Sequence, residues 1–299
     1  MKNDGFRYGD SFEDGLRRLA TGYNSLASDY LQRQGRVHEN IHQARLCFKR
    51  MRSMLRLLRS SMGTEIYHFE NGFYRDMARS LSFARDITAN YEAASGFISK
   101  RRSATTNLWI KKYMFDLQRK RASIMKEFDA QHVQATLIAQ LAEGLQRSHL
   151  WNFSEEPSVI IYKGIFRSYT SGQQGYRQSQ LTLNDHDFHE WRKDVKYLWY
   201  LLQPFVPLWP AVINDQISEL KKLSTYLGAH HDLVLLENAI PVYEQHAAKM
   251  PMSLKRSINE RKRKLSAMAL QQGALFYAGS AKDFADRISR YWETWVKQF

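Results

Sequence analysis

All six prolines of this 299-residue chain lie at or after Pro157. The long stretch before Pro157 therefore lacks the residue that most strongly breaks a helix. Apolar residues there recur three and four apart, as in Met51, Met54, Leu55 and Leu58, the spacing that lines one helix face. Only SVIIYKGIF, around Val159 to Ile161, is arguable as a strand, and Lys163 to Gln178 reads as helix. The expectation is an all-α fold of long amphipathic helices. One uncharged run, Tyr197 to Asn214, is long enough to raise a membrane span. Pro204, Pro207 and Pro210 interrupt it, so we expect a helix ending near Gln203, an extended aromatic-rich loop, and no span.

Short matches recur in order along the chain. HQARLCFK (His42 to Lys49) and HEWRKDVK (His189 to Lys196) share H-x-x-R-x-x-x-K. GLRR (Gly15 to Arg18) matches GIFR (Gly164 to Arg167), LSFARDI (Leu81 to Ile87) matches LGAHHDL (Leu227 to Leu233), and QRKR (Gln118 to Arg121) resembles ERKR (Glu260 to Arg263). The offsets all fall between 142 and 149 residues. Four ordered matches at near-constant spacing point to duplication of a small helical bundle. The expected organisation is one domain over residues 10–295, with repeat one at 10–153, repeat two at 158–295 and SEEPS (Ser154 to Ser158) as the junction. Two such bundles packed as a pseudo-symmetric pair would set matched residues across one basic central groove.

The segment His42 to Arg59 carries six Arg or Lys residues, one His and no acid. At 100° per residue, His42, Arg45, Lys49, Arg52, Arg56 and Arg59 fall within an arc of roughly 100°. Met51, Met54, Leu55 and Leu58 occupy another side. A row of like charges repels itself along a helix, a cost that a polyanion lying on the row recovers. Arg grips two phosphate oxygens with its planar fork, and Lys acts as a mobile point charge. The row has no carboxylate, which leaves it open to an anionic chain. Its repetition from His189 through Arg192 to Lys196 strengthens that reading. The whole chain agrees, with 44 basic against 30 acidic residues and a net charge of +14, a surplus that suits nucleic acid, an anionic membrane or a phosphate polymer.

Other chemistry is thin. The single cysteine, Cys47, excludes an intramolecular disulfide and a Cys-rich metal site. The opening MKNDGFRYGD lacks a signal-like apolar run, so a cytoplasmic location is expected. His42 and His189 can donate to phosphate oxygens, and a polyanion would favour their charged form, so we expect binding to tighten from pH 8 to pH 6. Asp86 and Asp232 follow Arg85 and His231 and orient or partly neutralise neighbouring cations. His230, His231 and Asp232 are adjacent, so on a helix they point 100° apart and make poor joint metal ligands. There is no Gly-rich phosphate loop, G-x-S-x-G or H-E-x-x-H. A last basic cluster, Leu254 to Leu265, offers Arg261 and Lys264 on one face, with Arg119 and Arg121 as first-half counterparts. Arg56 joins these four as an outlying candidate.

The motif near His42, HEWRKDVKYLWYLL and LGAHHDL resemble the CHAD family, the conserved histidine α-helical domain. GIFRSYTSGQQGYR is similar to the family's Arg- and Tyr-bearing helix before the second histidine. The resemblance spans nearly the whole chain and suits the stand-alone type. It implies two similar helical bundles around a basic cavity, binding of inorganic polyphosphate, association with polyphosphate granules, and no catalysis or cofactor. The phosphate-facing set it implies is His42, Arg45, Lys49, Arg50 and Arg52, then His189, Arg192, Lys193 and Lys196. Arg18 and Arg167 match the preceding helices, and Arg85 and His231 the following ones. Tyr197 and Trp199 stand where the first half has Arg50 and Arg52, so the second row is less cationic. Some family members carry a triphosphate-processing domain with an E-x-E-x-K strand, a motif absent here. The alternatives are nucleic-acid binding, with aromatics stacking on bases, and a metal-assisted phosphohydrolase using the histidines with Asp86 or Asp232.

Overall fold

The structure, a computed structural model, describes residues 5–100, 102–127 and 130–298, without the side chains at 83–86 and 124–132. Among the described residues it contains eleven α-helices, one short 3-10 helix and no strand. The first half runs α1 (Phe12–Gln32), α2 (Val37–Leu58), α3 (Thr64–Ser80), α4 (Phe83–Ser95), α5 (Ala104–Glu127) and α6 (Ala130–His149). The second runs α7 (Pro157–Thr182), α8 (Asp185–Leu202), α9 (Pro210–Glu244), α10 (Met252–Phe276) and α11 (Ala281–Val296).

Local sequence explains the helix ends. Ser11 and Asn184 accept from the backbone N–H of Asp14 and Asp187 at 3.0 and 2.8 Å, which caps α1 and α8. Pro157 and Pro210 occupy the first turns of α7 and α9, where a missing N–H costs nothing. The β-branched Val159, Ile160 and Ile161 are helical, because Ile160 and Ile161 are fully buried there and tertiary packing outweighs strand preference. Tyr197 to Asn214 departs from expectation in its middle. Gln203–Leu208 forms a 3-10 helix, not an extended loop. Pro204 and Pro207 have the fixed φ that a 3-10 turn accepts, and Phe205 between them is fully buried. Among the described residues no helix is long and apolar enough to cross a membrane.

The matched motifs fall on corresponding helices: α1 and α7, α2 and α8, α5 and α10. The third pair differs. LSFARDI straddles the break between α3 and α4, whereas LGAHHDL runs inside the unbroken α9. Packing repeats as well. Helix α1 packs on α2 and α6, as α7 packs on α8 and α11, and α4 packs on α5 as α9 packs on α10. The halves join through α2 against α7 and α8, and α4 against α9.

Two apolar cores result, and each draws on both halves. The larger joins Phe48, Met51 and Leu55 of α2 to Trp191, Val195 and Leu198 of α8, with α1, α3, α6, α7 and α11 around them. The smaller joins Ile87 of α4 and Trp109, Ile110 and Tyr113 of α5 to Leu233 and Leu236 of α9 and Ile258 of α10. Ahead of α1, Phe6 is inserted beside Phe12, Phe205 and Trp292, with centroids 5.6, 5.4 and 4.8 Å away. Its N–H donates to the Pro204 carbonyl at 2.9 Å.

Candidate polyanion groove

Because α2 and α8 pack side by side, their basic rows meet at one groove of about 390 Å³. Helix α2 contributes Arg45, Lys49 and Arg52, and α8 contributes His189, Arg192, Lys193 and Lys196. Arg79 of α3 and Ala89 of α4 line one wall; His231, Asp232 and Leu235 of α9 line another. Tyr197 and Tyr200 complete it. Seven Lys or Arg side chains thus face one Asp, and low-dielectric walls focus such a field.

Several of these cations are held in place by the fold. Arg45 donates through a guanidinium N–H to the Ala78 carbonyl, one of the last four of α3, so a groove residue caps that helix. Arg52 Nε donates to Asn71 Oδ1 at 3.0 Å. Lys193 pairs with Glu190 at 2.5 Å, and Arg79 with Asp76 at 3.5 Å. The groove is therefore not free of acids, as the bare α2 row suggested: Asp232 lines it and Glu190 sits on Lys193.

His189 and His231 meet through their Nδ1 atoms at 3.1 Å, with ring centroids 4.4 Å apart. One Nδ1 donates and the other accepts, which requires at least one neutral ring. Burial, then Arg192 and His189, push His231 down to about 3. Burial, then Lys193 and Arg192, lower His189. The free groove keeps this pair uncharged at neutral pH. The expected tightening between pH 8 and pH 6 would thus have to charge a pair that the fold holds neutral.

The structure brings Arg45, Lys49, Arg52, His189, Arg192, Lys193, Lys196 and His231 together and sets other candidates elsewhere. His42 lines a neighbouring pocket with His38, Thr88 and Glu92, and Arg45 is shared by both. Arg50 lines a small cleft with Tyr23 and Tyr200. Arg18 Nε donates to Asp10 Oδ2 at 3.1 Å and its Nη2 to the Gly5 carbonyl at 3.0 Å, so it pins the segment before α1. Arg167 is half-buried, and burial and nearby Arg59 lower its guanidinium from the ordinary value. Arg56 lies 3.7 Å over the Tyr197 ring and the exposed Arg59 lies 5.1 Å over Tyr67. Arg121 Nε donates to His38 Nε2 at 2.7 Å, and Arg119 is exposed on α5. Arg261 and Lys264 line a separate cleft. The side chains of Arg85 and Asp86 lie outside the described residues.

Two polar groove residues, Arg79 and Tyr200, went unread in the sequence. Arg79 had a signal, since Arg75 and Arg79 are four apart on α3. Tyr200 had none, because it reads as core and is 5% exposed. The basic cluster of α10 is divided by function. Lys262 turns inward to Asp185 and Glu237, each at 2.7 Å, with His230 Nε2 3.4 Å from Asp185. Those contacts tie α8, α9 and α10 together. Among the described residues no group of three or more His, Cys, Asp or Glu side chains converges to hold a metal ion.

Comparison with known proteins returns a consistent family. The family model described as "CHAD domain" matches residues 24–240. A crystal structure of the CHAD domain from the plant Ricinus communis is similar over 92% of this chain and 94% of that one. Its TM-score is 0.60, at 15% identity. That likeness is one of fold. No curated protein matches the chain.

Proposed function

Since the chain belongs to the CHAD-domain family, we propose that it binds inorganic polyphosphate in the α2–α8 groove without turning it over. The observation that carries this reading is the convergence of seven cations on one groove from α2, α3 and α8. A linear phosphate chain offers charge at close, regular intervals and no bases to read. Arg45, Arg52, Arg79 and Arg192 can each fork onto its oxygens, while Lys49, Lys193 and Lys196 follow it as point charges. Displacement of condensed counterions drives association, so affinity falls steeply with salt, as for proteins on DNA. His189 and His231 supply N–H donors at the α8–α9 edge. On this reading the protein associates with polyphosphate granules.

The aromatic lining separates this from single-stranded nucleic-acid binding. Such binding uses rings with a free face for the bases. Of the two tyrosine rings in the groove, Tyr197 has Arg56 over its face at 3.7 Å and Tyr200 is buried. The test is competition at equal phosphate concentration. Long-chain polyphosphate should resist displacement by single-stranded DNA or RNA; efficient displacement by either would sink the reading. Phosphate release from polyphosphate in Mg²⁺ or Mn²⁺, lost in Asp232→Asn, would instead make the protein an enzyme.

A further inference from the structure

A second basic concavity lies outside the groove, where the turn between α4 and α5 meets α10. It is about 550 Å³, with Phe97, Leu265 and Met268 as its apolar part and Arg102, Arg261 and Lys264 as its cations. Arg102 and Arg261 both stack on the buried Phe97 ring, each with its guanidinium carbon 5.4 Å from the centroid. Arg102 Nη1 also donates to Ser257 Oγ at 3.1 Å. Arg261 Nη1 donates to the Gly96 carbonyl at 3.3 Å, an orphan carbonyl at the end of α4. Two like charges are therefore fixed around one ring. Among the described residues no carboxylate pairs with Arg102, Arg261 or Lys264. Among the described residues the only acid lining the cleft is the exposed Glu260. An aromatic ring and neutral oxygens orient these guanidinium groups without neutralising them, and each keeps further N–H donors.

The position of the cleft gives it a use. Ala89 of α4 lines the groove and Gly96 at the end of α4 lines the cleft. Seven residues are two helical turns, so the two positions share a face of α4 about 10 Å apart. Glu92 is the one charged residue between them. We propose that the cleft is a second anchoring site for a condensed phosphate chain, engaged only by chains long enough to leave the groove along α4. The inference rests on the polyphosphate reading of the groove, and it makes Arg102, Arg261 and Lys264 determinants of chain-length preference. Linking two sites through one ligand makes the second contact intramolecular, which raises overall affinity without a new class of interaction.

The experiment compares tripolyphosphate with long-chain polyphosphate across a salt series, for the native chain and Arg261→Gln/Lys264→Gln. Both residues are exposed, and thermal melting checks that the variant folds. The expected result is unchanged tripolyphosphate affinity, long-chain affinity roughly tenfold weaker, and a long-chain salt slope shallower by about 2. Glu260→Gln should act in the opposite direction, strengthening the long chain alone. Equal effects on both ligands, or none on either, overturn the cleft and leave the groove reading standing. Failure of the native chain to bind either ligand overturns both.

Discussion

Helices α2 and α8 open with the same H-x-x-R-x-x-x-K pattern and then diverge. After Lys49, α2 continues with Arg50, Arg52 and Arg56; after Lys196, α8 continues with Tyr197, Trp199 and Tyr200. The helices pack on each other, and the divergence is complementary. Arg52 and Arg56 lie 5.5 and 3.7 Å over the Tyr197 ring. Two adjoining helices with cations at every matched position would repel along their whole contact. In this pair the shared opening supplies most of the groove's cations, and the divergent ends, which lend it Arg52, Tyr197 and Tyr200, also form the seam between the helices. Arg56 accordingly faces the partner helix. It also opposes burial at Asp194, whose carboxyl burial pushes up to about 6.

The comparison breaks if the openings are not the binding part. Lys49→Ala/Arg192→Ala/Lys196→Ala should weaken polyphosphate binding by at least about a hundredfold and flatten the salt slope by about 3. Calorimetry across ionic strengths measures both. A change under threefold with the helical signal intact would mean that the rows are not the site. A smaller effect sharpens the seam. Arg56→Ala should cost about 1–2 kcal/mol of stability through the lost stacking on Tyr197. It should also raise Asp194 further, because a favourable charge is gone. A double-mutant cycle with Tyr197→Leu measures the pair; coupling near zero would make their proximity incidental.

The smallest effect concerns pH. His231 is held down near 3 in the free protein, while an unfolded histidine titrates near 6.5. Below 6.5 the unfolded chain binds more protons, so the stability of the free protein, full above that pH, declines as pH falls towards 3. Binding has the opposite sign. A phosphate chain favours the charged pair, so affinity should rise as pH drops below about 6, with protons taken up from buffer. His231→Gln should flatten both trends, read from melting temperatures without ligand and dissociation constants with it. An affinity independent of pH between 7 and 5 would remove the pair from ligand contact.

The sequence carried the helical class and the matched motifs because both are local and repeated. It also carried Arg45, Lys49, His189, Arg192 and Lys196, since one helix face suffices to align them. It did not carry what lies opposite each face. Arg18 has the right position, but its partners are Asp10 and Gly5 in the preceding loop, which no helical wheel includes. Arg56 continues the row, yet α8 covers it. The break at Leu81 was equally invisible: no proline marks it, and the matched Leu227 continues as helix. At that end the Ala78 carbonyl accepts from Arg45 of α2, a partner that the local sequence does not reveal.

The smaller core has a consequence for the order in which the protein is made. Tyr113 of α5 meets Tyr243 edge-on at 4.9 Å, and Trp109 Nε1 donates to the Ala248 carbonyl at 2.8 Å. Those partners leave the ribosome more than a hundred residues later, a wait on the order of ten seconds at common synthesis rates. During that interval the apolar faces of α4 and α5 lack the cover that α9 and α10 provide. The smaller core therefore closes only after α9 and α10 have been made.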